Sequence, residues 1–396
     1  MVINTASPTS GIVQNERFDA LEAYRGVAAL LIVVFHAYQQ SRVSTTYVYE
    51  GTPLHVVLRS LDSSVAVFLT LSGFLIFLPF AQSFLGQHPS PSARGFLIRR
   101  AIRILPLYYV AILLVWTLRY TGGTEQRLDL LRHLTFTQIF DSQHIFWTIG
   151  PAWSLAVEVL FYLSVALTAP LLQRLLDRLQ TQRQRVTLLV VLLAGLMAAS
   201  LAYKAWAFYV AQIPEENYAV YYGFLAKADL FALGMLLAVG VAAAKERLWM
   251  NQWQAAFWRL GALVLFGAAF ILREQSAFTG LFFHTLCGLA FTLVLASTVL
   301  EERGSGWERA LSQPVFKFLG LISYSVYIWH EPILIELSKP NRLAFDNGAA
   351  FLVSTLILLV VVVLAGAISY YVIEYPTQYF RYLFTRDGRF ADRYSD

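Results

Sequence analysis

The chain has 396 residues, 57% of them hydrophobic and 14% charged, and carries a net charge of +5 at pH 7. Its mean hydropathy is +0.56. That leaves too little polar surface to cover a water-soluble globule of this size, so the composition excludes a soluble enzyme or binding module and points to an all-α, polytopic membrane protein.

A hydrocarbon core about 30 Å thick needs roughly 20 apolar residues per helix, and ten stretches of that kind follow one another along the chain. They are expected at 19–39, 58–82, 101–120, 149–173, 186–208, 224–244, 257–273, 279–299, 315–337 and 349–373. The first seventeen residues, MVINTASPTSGIVQNER, are polar and lack the basic start and apolar core of a cleavable signal peptide, so the first span is expected to remain as an anchor. The chain divides into an N-terminal segment (1–18), one transmembrane domain (19–373) and a polar tail (374–396). Between the third and fourth spans, TGGTEQRLDLLRHLTFTQIFDSQHIFWTIGP turns from polar to amphipathic, which suits a loop with a short helix lying on the membrane or lidding a cavity. The single cysteine, Cys287, has no partner for an intramolecular disulfide, and no Cys, His and carboxylate cluster has metal-ligand spacing, so no metal is expected.

With the N-terminus inside, ten spans put both termini in the cytoplasm. Nineteen of the thirty Lys and Arg residues then fall on that side and ten on the other, with Arg25 at the first helix boundary. The pI near 9.2 reads as this asymmetry and not as a nucleic-acid surface.

Ionisable side chains inside a bilayer cost roughly 2.5–3.5 kcal/mol near a helix centre on insertion scales, so each is a site candidate by default. Arg25 and His36 lie eleven residues apart. At about 100° per residue that is three turns plus roughly 20°, which puts both on one helix face about 16 Å apart. An arginine at the cytoplasmic mouth and an imidazole deeper in suit a long, negatively charged donor inserted lengthwise. The competing reading is a snorkelling anchor and a neutral histidine bonded to a neighbouring helix.

Next come Arg94, Arg99, Arg100 and Arg103 in ARGFLIRRAIRILPLYY, at the same mouth. Arg100 and Arg103, at i and i+3, share a face, and guanidinium forks suit phosphates, although positive-inside anchoring accounts for arginines here as well. Glu158 in PAWSLAVEVLFYLSVAL lies about 13 Å from the expected outer edge, a depth compatible with His36. A carboxylate there could hold the ring's tautomer, as in a hydrolase triad; packing against Ser, Tyr or Trp is the other reading. Asp229 has Lys227 nearby in sequence, although i and i+2 do not face each other. His284 has no acidic neighbour in sequence and reads as packed. In SYSVYIWHEPIL, Pro332 is expected to kink the helix and re-aim His330 and Glu331.

Seven segments in this order, AYRGVAALLIVVFHAY, LTLSGFLIF, RRAIRILPLYY, WSLAVEVLFY, KADLFALGMLLA, LISYSVYIWHEPIL and ISYYVIEYP, resemble the acyltransferase 3 family of integral membrane O-acyltransferases over essentially the whole chain. Two departures are Glu22, where an aspartate is common before the motif arginine, and AVFLTL, which lacks the acidic residue some members carry. A chain ending in about twenty polar residues resembles the stand-alone subgroup, without a soluble hydrolase-like extension. The resemblance implies an O-acetyltransferase of the bacterial inner membrane that takes acetyl from cytoplasmic acetyl-CoA to a hydroxyl of a carbohydrate or lipid-linked glycan. Arg25, Arg100 and Arg103 would hold the donor's phosphates, and His36 would be catalytic. Glu158 would orient or charge-balance the ring. His36 would either deprotonate the acceptor hydroxyl for direct attack or be acylated itself. Two other classes fit the residues without the resemblance: a proton-coupled secondary transporter with intramembrane His and Glu, and a nonenzymatic scaffold for polysaccharide assembly.

Overall fold

The computed structural model describes residues 9–244, 249–275, 277–302 and 304–378. Most of the polar tail and the first eight residues lie outside the described residues. The fold is a bundle of helices: α1 (Thr9–Gln40), α2 (Pro53–Arg59), α3 (Ser64–Phe84), α4 (Ala93–Arg119), α5 (Thr124–Leu134), α6 (Trp153–Leu176), α7 (Gln182–Ala205), α8 (Tyr218–Tyr221), α9 (Phe224–Ala244), α10 (Gln252–Leu272), α11 (Ala277–Val299), α12 (Gly306–Leu311), α13 (Pro314–Leu337) and α14 (Gly348–Ser369). No β-strand occurs among the described residues. Among the described residues ten helical segments are long and apolar enough to cross a membrane, and each overlaps an expected span.

One boundary differs usefully from expectation. The third span begins at Ala93 and not near 101, because Ser92 Oγ accepts the Gly95 N–H at 3.3 Å and caps the helix. The arginine segment is therefore helical, and Arg94, Arg99, Arg100 and Arg103 project from α4 itself. Side-chain caps also start α7, where Thr181 and Gln184 form a capping box, and α10, where Asn251 and Gln254 do. The expected loop helix is α5.

Lipid offers helices little hydrophobic reason to associate, so close packing at small residues holds them together. Two crossings organise the centre. A Cβ on Gly73 of α3 would stand 2.4 Å from the Phe231 carbonyl oxygen, and one on Gly234 of α9 would stand 2.0 Å from that of Thr70. The second crossing joins α1 to α13 at Gly26 and Gly320. At the periphery, α10 packs on α11 and α7 on α9. Helix α14 turns Leu352, Leu356, Val360 and Leu364 outward, one per turn, as a lipid-facing stripe. A π turn over Tyr370–Glu374 continues it and buries Glu374.

Candidate active site

The α1–α13 crossing sets the geometry of the site. A Cβ on Gly26 would lie 2.7 Å from the Gly320 nitrogen, and one on Gly320 would lie 2.5 Å from the Glu22 carbonyl oxygen. From that contact the two helices run side by side in the same direction, and His36 of α1 meets His330 of α13. The ring centroids are 5.1 Å apart, with 38° between the planes. His36 Nδ1 donates to Gln39 Oε1 at 2.8 Å. His330 Nδ1 donates to the Tyr327 carbonyl at 2.6 Å, and that oxygen can only accept. In the neutral form of each ring, Nε2 is then the lone-pair nitrogen. The Nε2 of His330 is buried and has no hydrogen-bond partner among the described residues.

The same end of the bundle is braced from α6 and its preceding turn. Tyr327 donates its hydroxyl to the Pro151 carbonyl at 2.8 Å and bonds Ser154 Oγ at 2.7 Å. Glu331 Oε2 accepts the Gly150 N–H at 3.1 Å. Beside the histidines, Asp62 is held by both terminal nitrogens of Arg273 at 2.7 Å, with His284 Nε2 at 3.5 Å. His284, without an acidic neighbour in sequence, thus has one in space from another helix. Asp229 is likewise paired with Lys204 at 2.8 Å rather than with Lys227, and it also accepts from Ser200 and Thr285. Positions i and i+2 point to different sides of a helix, so Lys227 could not reach it.

Arg25 lies in a second polar layer, three turns along α1 from His36. Its Nη1 is 3.2 Å from Glu22 Oε2 on the same helix face, and Glu158 and Tyr162 of α6 are among its electrostatic neighbours. Glu158 accepts a hydrogen bond from Ser72. Arg100 lies over the rings of Phe96 and Tyr162 at 5.8 and 5.7 Å, and Ser325 donates to Glu374, whose electrostatic neighbours include Arg25. Arg103 sits one turn further along α4, half-buried.

The structure therefore brings Arg25, Glu158 and, through Tyr162, Arg100 together. It does not bring Glu158 to His36: the side chain that orients the His36 ring is Gln39. Sequence reasoning missed His330 as the neighbour of His36. The available signal was a shared register, since each histidine stands ten residues beyond a glycine able to make a close crossing (36 − 26 and 330 − 320).

Chemically, an imidazole whose Nε2 carries a lone pair can take a proton from a hydroxyl brought within hydrogen-bond reach of it. Among the described residues no three His, Cys, Asp or Glu side chains converge as a metal site. The family described as an acyltransferase domain matches residues 18–372. A curated protein of Komagataeibacter xylinus whose name describes a membrane-bound transacylase, BcsY, is 27% identical over 375 residues, covering 91% of this chain and 83% of the relative. No solved structure matches.

Proposed function

This chain belongs to the acyltransferase-domain family and is a multi-pass membrane acyltransferase, and from that premise we propose that it moves an acetyl group from acetyl-CoA to a hydroxyl of a cell-surface or secreted carbohydrate, with His36 as the reacting base. The observation that carries this reading is the hydrogen bond of His36 Nδ1 to Gln39 Oε1, which leaves Nε2, without a hydrogen bond among the described residues, to meet a substrate proton. The acceptor hydroxyl gives its proton to that nitrogen as its oxygen attacks the thioester carbon. The carbon–sulfur bond then breaks, and the departing thiolate recovers the proton from the imidazolium. Ester and free thiol are the products, and no net proton is gained or lost.

The Arg25 layer takes the other end of the donor. Eleven residues of α1, about 16 Å, separate it from His36, a span comparable to an extended pantetheine arm between thioester and phosphates. Arg25, Arg100 and Arg103 supply permanent positive charge for those phosphates. Glu22 and Glu158 balance Arg25 before the donor arrives, so Glu158 serves the donor end and not the imidazole. This orientation puts the Arg25 layer on the cytoplasmic side of a bacterial inner membrane, with both termini in the cytoplasm, and the His36 end open to a glycan or lipid-linked glycan.

The test is acetyl transfer by His36→Ala in a protein shown to be folded and inserted. General-base catalysis is worth about 10²–10⁴-fold, and a variant retaining full transfer would sink the assignment. Rapid-quench trapping of an acetyl group on His36 would replace direct attack with a relay through acyl-imidazole.

A further inference from the structure

Lys227 is a buried cation with no acidic partner of its own. It closes the first turn of α9 and keeps only 7% of its surface exposed. Its ammonium lies 5.8 Å from the centroid of the Trp153 ring and 5.0 Å from that of Tyr222. Those rings meet edge to face at 4.6 Å. Among the described residues Lys227 makes no hydrogen bond or ion pair, and the two rings offer its ammonium no hydrogen-bond acceptor.

The charges around it explain why. Its electrostatic neighbours are Lys204, Asp229, Asp62 and Arg273. Asp229 is engaged by Lys204, and Asp62 by Arg273 and His284. Two carboxylates thus match two other cations, and the charge of Lys227 is left over. A desolvated, unmatched ammonium is costly unless a ligand supplies oxygen acceptors. Cation–π contact with two rings offsets part of that cost and gives no hydrogen-bond acceptor.

The place is also informative. Trp153 adjoins Ser154, which bonds Tyr327, and the Tyr327 carbonyl holds His330. Asp62 is an electrostatic neighbour of both His36 and Lys227. The aromatic corner therefore borders the His36 end of the bundle, where the acceptor is expected, and lies away from the Arg25 layer. Aromatic faces beside a charged donor suit a sugar ring bearing an anionic substituent.

We infer that Lys227, with Trp153 and Tyr222, is the subsite for an anionic oxygen on the acceptor sugar, either a uronate carboxylate or a sugar phosphate. This rests on the carbohydrate-acetylation reading above. The experiment measures binding of three probes to the detergent-purified full-length protein: methyl glucuronide, glucose 1-phosphate and methyl glucoside. At least one anionic probe binds ten or more times tighter than the neutral glucoside, and which one does so tells carboxylate from phosphate. Lys227→Met removes that preference and Lys227→Arg keeps it. Equal binding of all three probes to the unmutated protein overturns the proposal whether or not the variants fold, as does a preference that survives in Lys227→Met. Acetyl-CoA binding on the same samples reads the donor separately: its absence, with the anion preference intact, overturns the acetyl-CoA assignment and leaves the subsite standing.

Discussion

Gly26 of α1 and Gly320 of α13 lie where their helices pass so closely that a methyl group on Gly26 would displace the Leu319–Gly320 backbone and one on Gly320 would displace that of Glu22. Because the helices run parallel, ten residues on from each glycine bring His36 and His330 level, about 15 Å beyond the contact. Gly26→Ala or Gly320→Ala should therefore both destabilise and misregister the pair. Overpacking of this kind costs about 1–3 kcal/mol, read as a lower melting temperature in detergent together with lost transfer. Gly240, whose Cβ position is open, is the control, and Gly240→Ala leaves both unchanged.

Gln39 fixes the tautomer of His36. Gln39→Leu should lower kcat roughly tenfold or more while acetyl-CoA affinity stays as it was, since the lost hydrogen bond lies away from the donor's phosphates. Gln39→Glu places a negative charge beside the ring and favours the imidazolium. The acid limb of the kcat/KM profile then moves to higher pH; a profile that does not move would show that this nitrogen is not the one titrating.

Arg25 and Glu158 belong to one charge layer. Arg25→Ala should weaken acetyl-CoA binding, and Glu158→Gln should alter the same affinity and leave the pH profile of His36 in place. The double variant tests whether they act together: coupled neighbours depart from additivity by about 0.5–3 kcal/mol, whereas additive losses in binding would separate them.

Outside the spans, Asp141 joins α5 to the segment before α6. Burial pushes its carboxyl upward, but the Gln143 N–H, His144 and Arg132 outweigh that and hold it below the usual range. A carboxylate with a depressed pKa stabilises the fold above its unfolded pKa, near 3.9, and that contribution is lost as pH falls through the lower folded value. Hydrogen exchange should show the loop over 121–148 opening more readily as the pH drops below about 4. Asp141→Asn should show that opening already at neutral pH, at a cost of ~1 kcal/mol or less for so accessible a group.

Much of this architecture is legible in the chain itself. Spans are long apolar runs whose length the bilayer sets, so all ten are readable, and the shared stripe of Arg25 and His36 follows from helical arithmetic. The start of α4 is obscured because four arginines look like a loop until Ser92 is seen as a cap. The partner of Glu158 is obscured for a different reason. Depth counted along one helix places a carboxylate only to within a turn or two, and Arg25 and His36 are just three turns apart on the facing helix. The meeting of His36 with His330 depends on which helices become neighbours, and that is decided by glycine contacts between distant segments.

The separation of those two histidines has a consequence for how the protein is made. Residues 36 and 330 are 294 positions apart (330 − 36), and at roughly 5–20 residues per second the ribosome takes about 15–60 s to travel between them. Throughout that interval the first span is in the membrane with an unaccompanied imidazole. A nascent chain that stops short of the ninth span has no His330 to set beside His36, so the pairing of the two rings forms only once that span has been made.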